Sequence, residues 1–182
     1  IGKGNGGKVT LKGDESVSFS GGKSGILTAT RGTGDAGAIL IDAKNISFTD
    51  AVIDSGVFEK GNGGNVTLKA RESASFVGDT TIYVDTLFEG EGAGNAGTLL
   101  IDAKNISFTD GASINSSTFG KGNGGEITLK GDESVSFSGG KSGIQVTTNS
   151  QEERAGDAGK LLIEAKNISF TDRAFINLTT YG

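Results

Sequence analysis

The chain has 182 residues, a net charge of −5 and a sequence pI of about 4.8, and it contains 32 Gly but no Pro, Cys, His, Met or Trp. This composition excludes disulfides, thiolate or histidine metal sites, and Ser-His or Cys-His nucleophile systems. The acidic charge argues against a nucleic-acid partner, because phosphate binding needs a basic surface, and no apolar run is long enough to predict a membrane span.

The first predicted elements follow the glycine phrase GKGNGG at residues 2–7. Three short runs of alternating apolar and polar residues come next, at 9–11, 17–19 and 25–28. A period of two over such short runs predicts strands, and the Gly, Asn, Asp and Lys residues between them are typical of turns. Since no stretch has helical apolar spacing, we expect no helix.

The same arrangement recurs to the end of the chain. AKNISFTD occurs at 43–50, 103–110 and 165–172, and KGDESVSFSGGKSGI occurs at 12–26 and 130–144. The glycine phrases divide the sequence into six units, which begin near Gly4, Gly34, Gly61, Gly94, Gly122 and Gly156. One unit buries too little apolar surface to fold alone, so the units must stack. We predict one all-β domain over residues 1–182, a right-handed parallel β-helix (solenoid) of about six three-stranded coils.

Stacking predicts that equivalent residues lie above one another. The second run of every unit supplies a core phenylalanine, with offset or edge contacts expected between neighbouring rings; these are Phe19, Phe48, Phe76, Phe108, Phe137 and Phe170. A charge of alternating sign follows the first run, which would oppose unlike charges and fix the register; this predicted ladder is Lys12, Asp42, Lys69, Asp102, Lys130 and Glu164. The alternative is that these are ordinary solvated turn charges.

The glycine phrase has a structural and a ligand-binding interpretation. Gly and Asn tolerate positive φ, which a sharp corner requires. Corners that stack on one another also leave little room for side chains. A phosphate loop would be followed by a helix, and a calcium-binding glycine repeat would have a nine-residue period. Because a strand follows every phrase at a period near 30 residues, we favour the corner.

Two departures from the repeat are candidate contact loops, since insertions in solenoids form surface loops. One covers residues 80–89 and the other covers 147–154, and both precede a glycine corner. Their candidate contact residues are Tyr83, Asp85 and Phe88, and Gln151, Glu152 and Arg154. The alternative is harmless variation in loop length.

Catalysis is not expected, although paired carboxylates could support glycan cleavage. The pairs are Asp14 with Glu15, Asp132 with Glu133, and Asp85 with Glu89, and the first two lie in a repeated GDES turn. An outward column of Ser residues suggests an ice-binding face, although the neighbouring column is interrupted by Val77. Leu40, Leu100 and Leu162 alternate with Thr at another outward position, which suggests lateral packing against a second rod.

The repeats resemble those of one protein family. Units of the form G-N-[AG]-G-x-[ILV]-x-[IL], followed by N-[ILV]-S-[LF]-T-[DN]-G-A-x-I and S-[ST]-x-F-G, resemble the central repeat region of filamentous-haemagglutinin-like exoproteins of two-partner secretion. The best match is GNAGTLLIDAKNISFTDGASINSSTFG at 94–120, and weaker copies cover nearly the whole chain. Motifs of that family's amino-terminal secretion domain are not found.

The resemblance implies a bacterial protein that is secreted or attached to the cell surface, in which this segment is an adhesin stalk or fibre. In that family the adhesive site often lies in other segments. We therefore expect a structural stalk rather than an enzyme, with no cofactor. The expected partners are further copies, end to end or side by side, and a host-surface or glycan ligand. The alternatives are a self-associating extracellular filament subunit and, less favoured, an ice-binding or glycan-binding solenoid.

Overall fold

Strands form wherever apolar and polar residues alternate between the glycine-rich and Asp-containing turns. In a computed structural model, which describes residues 2–90, 92–149 and 156–181, these residues form thirteen strands and no helix. In chain order the strands are β1 (Lys8–Lys12), β2 (Ser16–Ser20), β3 (Gly25–Leu27), β4 (Ala38–Thr49), β5 (Val52–Asp54), β6 (Asn65–Val77), β7 (Thr81–Tyr83), β8 (Thr98–Thr109), β9 (Ser113–Asn115), β10 (Glu126–Ser138), β11 (Gly143–Asn149), β12 (Lys160–Thr171) and β13 (Phe175–Tyr181).

The strands form two parallel sheets. One sheet has the order β1-β4-β6-β8-β10-β12, with β2 also paired to β4, and the other has the order β3-β5-β7-β9-β11-β13. Neighbouring strands in each sheet are therefore one coil apart in the sequence. The predicted all-β parallel solenoid of about six turns is confirmed. We number the coils 1 to 6 from the six glycine phrases.

The coils differ in detail from the predicted three separate strands. In coils 2 to 6 the first and second runs are continuous, as in β4 and β6. A third pairing position is formed by isolated bridges, which join Thr30, Val57, Thr86, Thr118 and Thr148 in succession. In coils 3 and 5 the extra residue between the two runs is accommodated by a β-bulge, so the strand continues without a turn.

The bulge explains why two kinds of coil alternate. Between β4 and β6 the pairing passes from Ala43↔Ala70 to Asn45↔Ser73, so the odd coil contributes one extra residue. The same shift separates Gly131 from Ser134 in coil 5. The GDES segment that was predicted as a turn lies inside β10 in coil 5, whereas in coil 1 it separates β1 from β2.

The six phenylalanines form one continuous stack through the core. Adjacent ring centroids are 4.4–6.0 Å apart and the ring planes differ by 3–14°, so all five contacts are stacked and none is edge-on. Phe48, Phe76, Phe108 and Phe137 are completely buried, whereas Phe19 and Phe170 in the end coils are half-buried. Parallel in-register pairing places identical rings one strand spacing apart, which favours stacked contacts.

Candidate functional site

The glycine corners hold a ladder of side-chain hydrogen bonds. The residue after the first glycine of every phrase is Asn or Asp, and its side-chain oxygen accepts the backbone N–H of the equivalent residue one coil on. The five steps, each 2.8–3.0 Å long, run through Asn5, Asp35, Asn62, Asn95, Asn123 and Asp157. This corner ladder satisfies backbone donors that face no strand, which is a structural role.

The glycines of the phrase allow the corners to stack this closely. A Cβ on Gly37 would overlap the carbonyl oxygen of Gly7, and a Cβ on Gly97 would overlap that of Gly64. A strand rather than a helix follows each phrase, as in β1 and β8. The structure therefore supports the corner interpretation.

The predicted charge ladder is in register, but few of its members touch. Lys12 pairs in the sheet with Asp42, Asp42 with Lys69, and so on to Glu164. Among the described residues, the one ion pair within the ladder is Lys130 with Glu164, at 3.7 Å. Asp42 instead lies 3.6 Å from Arg71. These exposed pairs contribute little to stability individually.

A second charged column lies at the bulge, and the repeat spacing of the sequence does not predict it. It also alternates in sign, and it contains the closer ion pairs: Lys44–Glu15 at 3.0 Å, Lys104–Glu72 at 3.4 Å and Lys166–Glu133 at 2.7 Å. The hydrogen bond from Lys166 lowers the pKa of Glu133, and the same contact raises the pKa of Lys166. The extra bulge residue in odd coils hides this column from a comparison at constant spacing.

The prediction that Tyr83 and Asp85 lie in a protruding loop is wrong. Tyr83 ends strand β7 and pairs with Asp54 and Asn115 in the adjacent coils. Asp85 is only 4% exposed, because the following residue, Thr86, still bridges the neighbouring coils. The inserted residues come later, between Thr86 and the corner at Gly94. Gln151, Glu152 and Arg154 lie outside the described residues.

Asp85 is a buried acid beside a second carboxylate. Its Oδ1 fills the space that a side chain on Gly56 would occupy, and Asp54 lies on the same side, where its Oδ1 accepts the Gly56 N–H at 2.9 Å. Burial, followed by the charge of Asp54, raises the pKa of Asp85 to about 7. Glu89, the sequence-predicted partner of Asp85, is instead exposed in the inserted segment.

The inserted segment of coil 3 contributes to an exposed aromatic patch. Phe58, Leu87 and Phe119 follow equivalent bridge positions in coils 2, 3 and 4, and their backbone N–H groups donate to Thr30, Val57 and Thr86. Phe58 is 41% exposed and Leu87 38%. We define the aromatic patch as Arg31, Phe58, Lys60, Leu87, Phe88 and Phe119.

Two cations border the rings of the aromatic patch. The Arg31 guanidinium lies 5.6 Å from the centroid of Phe58, and Lys60 Nζ lies 5.9 Å from that of Phe88. Such cation–π pairs hold the long side chains against the rings while leaving hydrogen-bond donors available to a ligand. Aromatic faces beside charged donors can contact both the apolar and the hydroxyl surfaces of a bound molecule.

Some side chains of the outward Ser column and of the column beside it donate hydrogen bonds to the neighbouring coil. The outward Ser column is in register through all six coils, and Ser47 donates to Ser18 at 2.9 Å. In the adjacent column Ser73 donates to Asn45 at 2.8 Å, and Ser134 donates to Asn105 at 2.7 Å. These hydrogen bonds between coils are the ordinary cross-strand contacts of a sheet.

Among the described residues, no group of three or more His, Cys, Asp or Glu side chains is placed to hold a metal ion. The part of the chain that the structure describes also has no helix that is long and apolar enough to cross a membrane.

Comparison with protein-family models, curated proteins and solved structures found no significant match.

Proposed function

We propose that this chain is a stiff spacer segment of a bacterial secreted or cell-surface fibrous protein, which presents the aromatic patch on its side. The observation that carries the proposal is the continuity of the stack. Two parallel sheets and one phenylalanine column run through all six coils with matching residues in register. A rod of this kind holds its two ends at a fixed distance, and that distance is set by the number of coils.

The aromatic patch is the surface that we expect to make adhesive contacts. It combines exposed Phe58 and Leu87 with the cations Arg31 and Lys60, whereas the flat faces carry mostly small hydroxyl and charged columns. A glycan on a host surface fits this chemistry, since sugar rings stack on aromatic side chains and sugar hydroxyls accept from cationic donors. The resemblance of the repeats to those of filamentous-haemagglutinin-like exoproteins supports the spacer function.

Immuno-electron microscopy of the source cells tests the spacer function, with an antibody raised against residues 1–182. We expect label along fibrils on the cell surface, which is lost when the antibody is preincubated with the purified chain. Label confined to the cell interior or to soluble material would contradict the proposal.

A second candidate function is that of an extracellular filament subunit that self-associates. It is favoured by the outward leucines on the side of the rod, since Leu40 and Leu100 are partly exposed and Leu162 is 46% exposed. The two functions differ in whether the purified chain binds copies of itself.

A further inference from the structure

The sheet that contains β4, β6, β8 and β10 carries large and small side chains in alternate coils on its outward face. Along each strand the central outward residue lies between two buried ones, and it pairs in register with its counterparts in the neighbouring coils. In coils 2 to 5 this central column is Leu40, Thr67, Leu100 and Thr128, all of them half-buried. The face therefore has a ridge at every second coil, and the ridges are about 9.6 Å apart, which is two strand spacings.

The charge ladder lies beside the central column on the same face, two residues further along each strand. In coils 2 to 5 its members are Asp42, Lys69, Asp102 and Lys130. Lys69 and Asp102 are exposed, and neither has an ion-pair partner among the residues that the structure describes. Because both columns alternate with the same period, every even coil presents Leu with an acid and every odd coil presents Thr with Lys.

Two copies of this face can pack about a two-fold axis in two ways. With the axis along the rods, the rods are parallel and each coil opposes its own equivalent, so Leu meets Leu and the charge ladder faces the opposite flank. With the axis along the strands and between two coils, the rods are antiparallel and every even coil opposes an odd coil. In that arrangement Leu meets Thr in the central column, and acid meets Lys in the charge ladder.

We propose that two copies of this chain associate side by side and antiparallel through this face. With the axis between coils 3 and 4, Leu100 of each copy packs over Thr67 of the other, and Lys69 of each copy faces Asp102 of the other. The complementarity is the same for an axis between any two neighbouring coils, since neighbouring coils are always of opposite kinds. This inference rests on the second candidate function and names the surface through which the chain associates.

The size of the face predicts a reversible dimer. Three outward columns and six strand spacings cover about 20 by 29 Å, so two fully overlapping copies bury roughly 1,100 Å², which is at the low end for specific interfaces. Face-to-face sheets pack about 10 Å apart, which leaves room for a Leu side chain over Thr and for a Lys side chain to reach a carboxylate. A two-fold contact occupies the same face on both copies, so association stops at the dimer.

Sedimentation equilibrium of the unmodified chain is the first test. We expect the mass to rise with concentration from the 18.4-kDa monomer towards twice that value. Lys69→Glu places a like charge opposite Asp102 twice in each dimer, and it should weaken association by at least about tenfold. The control Lys141→Glu makes the same change in charge at an exposed turn away from this face, and it should associate as the unmodified chain does.

The charge-reversed double variant Lys69→Glu/Asp102→Lys separates contact between copies from strain within one copy. Like charges remain next to Asp42 and Lys130 within its sheet, as many as in the single variant. Between copies, however, unlike charges face each other again. We expect the double variant to recover most of the association that Lys69→Glu loses, and no recovery would contradict the proposed pairing.

Cross-linking tests the antiparallel orientation, since the chain has no Cys of its own. In Leu40→Cys/Thr128→Cys the two thiols of one copy are about 14 Å apart, at three strand spacings, whereas thiols of opposing copies face each other across the interface. With a short bismaleimide, we expect a covalent dimer on a denaturing gel from this double variant and from neither single variant. A covalent dimer from Leu40→Cys alone would establish parallel rods and overturn the proposal.

The failure of this inference is distinguishable from the failure of the function on which it rests. An unmodified chain that stays monomeric at all concentrations would overturn both the inference and the second candidate function, and it would leave the spacer function intact. Association that Lys69→Glu does not weaken, with no cross-linked dimer from the double cysteine variant, would overturn the inference alone.

Discussion

At the scale of single residues, and within the part of the chain that the structure describes, Asp85 has the environment that most strongly links folding to pH. Its pKa is about 7 in the folded chain, against an ordinary 3.8. The folded state therefore holds a proton that the unfolded state releases between these two values. The resulting stabilisation is complete below about pH 4 and is lost as the pH rises through 7, and it amounts to about 4 kcal/mol.

We expect Asp85→Asn to remove this part of the pH dependence. The variant side chain has nearly the same shape and no charge, so it should be more stable than the unmodified chain at pH 8 and similar to it at pH 4. Denaturant unfolding of both chains between pH 4 and pH 8 measures the difference. Asp79→Asn, at an exposed carboxylate, is the control and should follow the unmodified profile. Parallel profiles for Asp85→Asn and the unmodified chain would contradict this account.

Position along the stack determines how much each phenylalanine stabilises the fold. Phe108 is completely buried between two stacked rings, whereas Phe170 has one ring neighbour and is half-buried. We expect Phe108→Ala to lower the free energy of unfolding by about 3–5 kcal/mol, because it leaves a cavity in the middle of the core. Phe170→Ala should cost clearly less. Guanidinium unfolding midpoints compare the two, and equal costs would count against a closed central stack.

At the scale of elements, each step of the corner ladder requires one side-chain oxygen that accepts a backbone N–H from the next coil. Asn95 accepts the Asn123 N–H through its side-chain oxygen. We expect Asn95→Ala to destabilise the chain by about 1 kcal/mol, the net contribution of one such hydrogen bond. Asn95→Asp keeps the acceptor, as at Asp35, and should be close to neutral. If both substitutions cost the same in thermal unfolding, the ladder has no energetic role.

The columns of matching residues are the part of these elements that the sequence predicts well. Phe48 and Phe76 stand at equivalent points of recognisable repeats, and Lys69 and Asp102 do so as well, so their stacking follows from the period alone. The bulge is harder to predict, because one extra residue between two short runs is equally compatible with a longer turn. The close pair of Lys104 and Glu72 was missed for that reason.

The environment of Asp85 could not be predicted from its own surroundings in the sequence. Residues 80–89 read as an irregular polar and apolar segment, and their length suggests an insertion. Burial of Asp85 depends on Gly56 in the preceding coil, whose missing side chain leaves room for the carboxylate. Contacts of this kind are set by which residue stands above which, and that requires the register to be known first.

At the scale of the whole molecule, the chain forms a rod with one register from the first coil to the last. Thr10 and Leu162 belong to one outward column at opposite ends of that rod, and both are exposed. Because the chain has no Cys, nitroxide labels attached through Thr10→Cys and Leu162→Cys report the distance between these two positions alone.

The most direct measurement is pulsed electron–electron double resonance on that doubly labelled chain and on a second one, labelled through Thr10→Cys and Thr128→Cys. Each is diluted with unlabelled chain to suppress contacts between copies. Five strand spacings place the two backbone positions about 24 Å apart, and four spacings place Thr10 and Thr128 about 19 Å apart. We expect narrow distance distributions that differ by one strand spacing between the two labelled pairs. Broad distributions, or equal distances for the two pairs, would contradict a rigid in-register solenoid.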